Sequence, residues 1–239
     1  MGACDSTSKV VLRACTFVLF ACITGHVYSE AGYNDDRLLL IAKDEERLVS
    51  SKHIHIAEQK LFITPGSIAK YLVIPAFRSP EMAVAVYKGT SRESGGLPSK
   101  YWVTTTKASR RIMDSASGIP ATVPDQGVLP VRRSDAPIAD STATVIHQLW
   151  MAMLSDARPR HPLEMGIDSD VIAFYAMNES GHELRAVPFG TGPRCAGMVN
   201  LGDQLLKYAA APARERFQRA KRIEQDALKL LQSLRHKQR

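Results

Sequence analysis

Two histidines one residue apart are the first candidates for chemistry in this sequence. His53 and His55 stand in the segment HIHIAE, where histidine and isoleucine alternate. Alternation with a period of two predicts a strand with one wet face, and both imidazoles would then lie on that face. Imidazoles placed in this way could bind a metal ion. We favour a solvated strand face and no metal site, because no second histidine-bearing strand of suitable spacing follows.

A second candidate is the glycine-rich segment FGTGPRCAG, residues 189–197, between a predicted strand and a predicted helix. Backbone N–H groups at the start of a helix could hold a phosphate, with Arg194 beside them. The glycine spacing differs from that of dinucleotide-binding loops, and no Gly-Lys-Ser/Thr ending follows. Nothing in the sequence pairs Cys195 with a histidine, as a nucleophile requires. We therefore expect an ordinary turn, a partly buried structural thiol and no cofactor.

No other local enzyme motif is present. The sequence has no Gly-x-Ser-x-Gly elbow, no His-Glu-x-x-His helix and no calcium-binding loop. We therefore assign no catalytic residue and favour a non-enzymatic protein, with a periplasmic or secreted hydrolase as the alternative. Such a hydrolase requires a cleft in which a carboxylate or a serine meets one of the histidines, namely His53, His55, His147 or His182.

Positive charge is concentrated at the C-terminal end of the chain. The 239 residues carry a formal net charge of +7, and residues 212–239 hold nine Lys or Arg against three acids. Residues 32–211 are almost neutral, with twenty bases and nineteen acids. A basic surface around the whole fold is therefore excluded, and a basic appendage is predicted.

Residues 1–31 have the layout of a secretory signal peptide. Lys9 and Arg13 precede the apolar run at residues 14–25, and a more polar stretch follows. The run is shorter than the roughly 20 apolar residues of a membrane-spanning helix. Cleavage after this stretch would remove three of the four cysteines. We expect export to the periplasm or the medium, with lipid anchoring at Cys22 or an ordinary buried segment as the alternatives.

The rest of the chain predicts an α+β fold in two regions. Residues 32–115 are strand-rich, although residues 33–50 are compatible with either a strand or a short helix. Residues 116–136 are rich in proline and glycine and form a connector, which either separates two domains or crosses one domain as a long loop. Residues 137–211 have the pattern helix, β-hairpin, helix, with the hairpin tip at residues 178–181.

Residues 212–239 predict one long, basic, amphipathic helix. The segment after Pro212 lacks glycine and proline, and its apolar residues recur at three- and four-residue spacing. We expect this helix to project from the second region and to contact a protein partner or a second copy of the chain, in the manner of a coiled coil. The residues expected to make the contact are Arg214, Phe217, Arg219, Arg222, Ile223, Leu230, Leu231 and Leu234.

Three other uses of this helix stay open. It could pack on the body of its own chain, or lie on an anionic membrane surface with its bases facing the headgroups. A nucleic-acid arm is the least favoured, because Phe217 is its only aromatic residue and an exported protein rarely meets nucleic acid. The sequence thus predicts an exported binding protein of the cell envelope, or a nucleic-acid-binding protein if the chain is not exported.

Overall fold

In the part of the chain that the structure describes, seven antiparallel strands form one sheet. The computed structural model describes residues 36–41, 49–76, 79–89, 100–112, 130–159, 170–188 and 192–236. The sheet order is β1-β7-β6-β2-β3-β4-β5, and every neighbouring pair is antiparallel. The strands are β1 (Leu38–Leu40), β2 (Ser67–Ile74), β3 (Met82–Lys88), β4 (Tyr101–Ala108), β5 (Val131–Ile138), β6 (Val171–Met177) and β7 (Glu183–Pro188).

Four helices of the described residues cover the two faces of the sheet. Helix α1 packs on one face, α2 and α3 pack on the other, and α4 packs against α2 and α3. The predicted α+β fold class is confirmed, with strands first, helix–hairpin–helix next and a long basic helix last. The helices are α1 (Val49–Leu61), α2 (Asp140–Ser155), α3 (Pro193–Ala209) and α4 (Ala213–His236).

The central strand β2 shows how the sheet divides the core. Tyr71 and Val73 belong to the core beneath the three helices, whereas Leu72 and Ile74 belong to the core beneath α1. Alternate residues of a strand point to opposite faces, so this apolar run serves both layers. Trp150 of α2 is fully buried above the sheet, and its indole N–H donates to the Lys70 carbonyl at 3.2 Å.

Residues 49–61 form helix α1, so the strand predicted for the HIHI segment is wrong. Ile54, Ala57 and Leu61 recur at three- and four-residue spacing, and all three are buried against the sheet. Burial of this stripe outweighs an alternation that extends over only four residues. His53 and His55 therefore lie about 200° apart around a helix axis instead of side by side.

The strand-rich region and the helix–hairpin–helix region share the single sheet. Strand β6 of the hairpin pairs with β2 from Ala69 to Ile74. Residues 131–136, which belong to the predicted connector, lie in strand β5. As an edge strand, β5 tolerates Pro137, which cannot donate to a second neighbour. The predicted signal peptide and residues 113–129 lie outside the described residues.

Helix α4 packs on its own chain and does not project from it. It contacts both α2 and α3, after a short turn at Pro212 that separates it from α3. The expectation of a projecting tail is therefore wrong, and the alternative of packing on the body of the chain is correct. An apolar stripe on a helix is stabilised by burial, and the grooves beside α2 and α3 provide it.

Candidate functional site

The inner face of α4 belongs to the hydrophobic core. Ile223, Ala227, Leu231 and Leu234 are buried, with at most 7% of each exposed. Leu230 is partly buried and lies over Gly197 of α3. Four of the eight residues predicted to contact a partner are therefore occupied within the chain, namely Ile223, Leu230, Leu231 and Leu234.

Polar contacts hold the same helix in place from both sides. The Thr142 hydroxyl of α2 donates to Glu224 at 2.7 Å, and the Gln204 amide of α3 donates to Asp226 at 3.0 Å. Two of the three acids in the predicted tail thus serve its docking on the body. The positive charge of α4 is left on its outer side.

An exposed seam of α4 carries two of the four remaining predicted residues, Arg214 and Phe217. Phe217 is 74% exposed, which makes it the most exposed large apolar side chain among the described residues. Arg214 and Lys221 stand three residues before it and four after it, so they flank it on the same helix face. Leu228, 38% exposed, lies about 16 Å further along that face. We call Arg214, Phe217, Lys221 and Leu228 the outer seam.

Two members of this seam, Lys221 and Leu228, were not predicted from the sequence. Lys221 and Leu228 follow Phe217 by four and eleven residues, spacings that return to the same side of a helix. This spacing is readable in the sequence, but the inner stripe is more apolar and the predicted contact residues followed that stripe. The residues of α4 that are free to contact a partner can be predicted only when the stripe covered by the rest of the chain is known.

The other predicted arginines line the groove between α3 and α4, which Arg214 and Lys221 of the outer seam also line. Arg219 and Arg222 line it together with Lys207 of α3, in a polar depression of about 930 Å³. Arg219 forms an ion pair with Glu215, at 2.8 Å between Nη2 and Oε2. Neither Lys207 nor Arg222 forms an ion pair with any carboxylate of the described residues. This flank of the helix pair is basic.

The position of these bases along α4 opposes helix stability. The first ten residues of α4, residues 213–222, hold five Lys or Arg against one acid. The N-terminal end of a helix carries partial positive charge and favours acidic side chains there. Bases clustered at that end raise the local positive potential at a cost to the helix.

The buried Glu81 forms the clearest polar arrangement on the α1 side of the sheet. Its side chain is fully buried, and His53 Nε2 lies 2.9 Å from Oε1. The Ile112 backbone N–H donates to the other carboxylate oxygen at 2.8 Å. Burial alone would raise the pKa of Glu81, but these hydrogen bonds outweigh burial and hold the pKa below its usual value.

This pair supplies the base and its orienting acid, as a hydrolase requires, but not a nucleophile. Within the described part of the chain, no hydroxyl or thiol forms a hydrogen bond with His53. His147 and His55 do not complete a site either. His147 bonds the Met177 carbonyl at 2.8 Å, and the exposed His55 bonds Gln59 at 2.9 Å. The geometry favours a structural tie between α1 and the start of β3.

Glu81→Gln is expected to lower stability at neutral pH and to weaken its acid sensitivity. A carboxylate with a lowered pKa stabilises the fold above its unfolded pKa, and this contribution is lost as the pH falls through the folded value. We expect a loss of about 1–3 kcal/mol at pH 7 that shrinks towards pH 3. Urea denaturation at both pH values measures it, with the exposed Glu179→Gln as control. A difference that does not change with pH would contradict the assignment.

A second polar cluster fills the sheet beneath α1. Lys70 forms an ion pair with Glu183, and Arg185 lies within 3.6 Å of Glu58. Tyr175 is buried among them, and burial, reinforced by Glu58, raises the pKa of its phenol. Two acids and two bases make the cluster electrically balanced, and no group of three or more metal-ligating side chains occurs in the described ranges. The cluster fastens α1 to β2, β6 and β7.

The described part of the glycine-rich segment, residues 192–197, approaches an internal carboxylate. The backbone N–H groups of Arg194 and Cys195 donate to Asp36 Oδ1 at 2.7 and 3.0 Å. A side chain at Gly192 would place its Cβ 2.3 Å from that same oxygen, so glycine permits the approach of Asp36. Asp36 therefore accepts the hydrogen bonds that a phosphate at the start of α3 would accept. Cys195 is 1% exposed.

The described helices include none that is long and apolar enough to cross a membrane. Comparison with protein-family models, with curated proteins and with solved structures gives no match. The candidate site is therefore argued from its own geometry. On that basis the strongest candidate is the outer seam of α4 together with the basic flank beside it.

Proposed function

We propose that this protein is an exported, non-enzymatic binding protein of the cell envelope that contacts an acidic protein partner through the outer seam of α4. The observation that carries the proposal is the exposure of Phe217 between Arg214 and Lys221. Aromatic and arginine side chains are enriched where proteins bind one another. An exposed phenylalanine between two bases matches a partner surface that is both apolar and acidic.

Charge gives the second support. Arg214 and Lys221 form no ion pair with any carboxylate of the described residues, so they stay available to an anionic surface. The N-terminal end of α4 adds the partial positive charge of its backbone. Such a surface attracts an acidic partner over several ångströms and raises the rate of association.

A protein partner fits better than a bilayer or a nucleic acid. An interfacial helix must bury its apolar stripe in the lipid, but Ile223, Leu231 and Leu234 are already buried in the core. The outer seam offers only Phe217 and the partly exposed Leu228 for insertion. Phe217 is also the only Phe, Tyr or Trp of residues 212–239 that could stack on bases.

Localisation in the envelope is proposed from the N-terminal sequence alone. Residues 1–31 combine two bases, a short apolar run and a polar end, which is the layout of a signal peptide. An exported protein meets acidic proteins and anionic surfaces far more often than nucleic acids. The same layout therefore favours the protein partner among the uses of a basic helix.

The triple substitution Arg214→Ser, Phe217→Ser and Lys221→Ser tests the proposal in the native host. We expect it to weaken partner retention at least tenfold, since a central aromatic anchor and two charges are lost. The matched control is Lys60→Ser, Ile63→Ser and Lys88→Ser, which also removes two bases and one exposed apolar side chain. The apparent size of the native complex in an envelope extract measures retention.

Both variants should unfold within a few degrees of the wild type, because all six positions are exposed. Equal retention of the wild type and the seam variant would contradict the proposal. Equal loss in both variants would show that net charge, and not the seam, governs retention. Light scattering on the purified protein distinguishes self-association from binding of a different protein, because self-association occurs without any other protein present.

A further inference from the structure

An apolar groove opens at the corner of the sheet beyond the end of α3. It has a volume of about 520 Å³, within the range of small-molecule sites. Its walls come from β3, β4 and β5 on one side and from the C-terminal half of α3 on the other. The lining includes Met82, Thr105, Leu206 and Ala210.

Two polar residues that line the groove, Thr105 and Asp203, are engaged within the protein, and Ser134 adds one hydroxyl to the lining. The Thr105 hydroxyl is 3.4 Å from the Leu206 carbonyl. Asp203, the acid that lines the groove, accepts a hydrogen bond from the Tyr71 hydroxyl at 3.0 Å. The floor therefore presents mainly carbon to a ligand.

The rim of the groove is basic. Lys107, Arg132 and Lys207 line it, and Lys107 and Arg132 are exposed. None of the three forms an ion pair with a carboxylate of the described residues. Lys107 and Arg132 are also direct cross-strand partners in the register of β4 and β5. Like charges directly opposite each other destabilise a sheet, so this pair costs stability that an anion would restore.

We propose that this groove binds an anionic amphiphile, such as a fatty acid or another single-chain lipid with an acidic head group. The acyl chain lies along Met82, Leu206 and Ala210, where it is removed from water. The head group lies between Lys107, Arg132 and Lys207, whose ammonium and guanidinium groups donate charge-assisted hydrogen bonds to it. An apolar floor with an unpaired basic rim matches both halves of such a ligand.

Titration calorimetry with dodecanoate below its critical micelle concentration tests this site on the purified protein. Dodecyl maltoside has the same chain with a neutral head, dodecyltrimethylammonium has a cationic head, and acetate has the head alone. We expect saturable binding of dodecanoate, at least tenfold weaker binding of the neutral and cationic compounds, and no binding of acetate. Binding of the three dodecyl compounds with similar affinity would overturn the proposal, as would no saturable binding of dodecanoate.

The double variant Lys107→Ser and Arg132→Ser assigns the binding to this groove. We expect it to weaken dodecanoate at least tenfold and to leave dodecyl maltoside unchanged. It should melt no lower than the wild type, because it removes a repulsive cross-strand pair. The control Arg214→Ser and Lys221→Ser removes two bases from α4 and should bind dodecanoate normally. Full affinity in the Lys107/Arg132 variant, or equal loss in both variants, would refute the site.

Discussion

Deletion of residues 212–239 is expected to unfold the protein or to leave only a loosely packed state. Ile223, Leu231 and Leu234 are buried against α2 and α3, and each such side chain stabilises a fold by about 1.5–3 kcal/mol. Together they supply roughly 5–9 kcal/mol, while a whole domain is stable by only about 5–15 kcal/mol. The deletion also exposes the apolar surfaces of α2 and α3 that α4 covers.

Urea denaturation and binding of a hydrophobic dye measure this effect. The shorter deletion of residues 237–239 is the control, because it leaves the described part of α4 in place and should unfold like the wild type. A cooperative transition at the wild-type midpoint in the longer deletion would show that the inner stripe is not part of the core. Loss of partner binding in the longer deletion is uninformative for the same physical reason, so the outer seam has to be tested by surface substitutions.

Gly202→Ala is expected to lower the free energy of unfolding, although helix propensity alone favours alanine at this position. Alanine stabilises an exposed helix interior by about 1 kcal/mol relative to glycine. At this position, however, a Cβ atom would lie 2.6 Å from three carbons of the Tyr71 ring. Tyr71 is 1% exposed and is held by its hydrogen bond to Asp203, so the ring cannot retreat. We expect a loss of about 1–3 kcal/mol from overpacking.

Gly197→Ala in the same helix is the matched control. Its Cβ would lie 3.1 Å from a methyl group of Leu230, the far end of a flexible and partly buried side chain. We expect a stability within about 1 kcal/mol of the wild type, on the stabilising side, from helix propensity. Thermal melts of the two variants give the comparison. Equal destabilisation by both substitutions would contradict the close approach of Tyr71 to α3.

Local patterns were sufficient to predict much of the fold. The hairpin of β6 and β7 follows from two short apolar segments on either side of an Asn-Glu-Ser-Gly turn, in which Gly181 adopts a positive φ of 77°. The stripe of α2 around Trp150 and the glycine-free sequence of α4 likewise predict their helices from local sequence. Both helices carry their own periodicity over ten or more residues.

Long-range contacts account for what the sequence did not reveal. The HIHI alternation was too short to compete with the burial of Ile54, Ala57 and Leu61, which requires the sheet beneath α1. The amphipathic pattern of α4 shows that one stripe must be covered but not by what. Glu81 is a single acid before β3, and only the fold brings His53 to it.

The two proposed binding surfaces differ in the same respect. The outer seam has a helical spacing that is readable in the sequence once the covered stripe is known. The groove combines Met82, Lys107, Arg132 and Lys207. Successive members are 25, 25 and 75 residues apart along the chain and meet only through the strand register and the position of α3. No local motif could have indicated it.

Site-specific photocrosslinking in the native host tests directly whether the outer seam of α4 contacts a protein partner. A benzophenone amino acid replaces Phe217 in one variant and Ile63 in another, because Ile63 is 44% exposed and lies away from α4, just after α1. We expect one discrete adduct of higher mass at position 217 and none at position 63. The adduct should be lost when Arg214 and Lys221 are changed to serine. No adduct at position 217, or the same adducts at both positions, would contradict it.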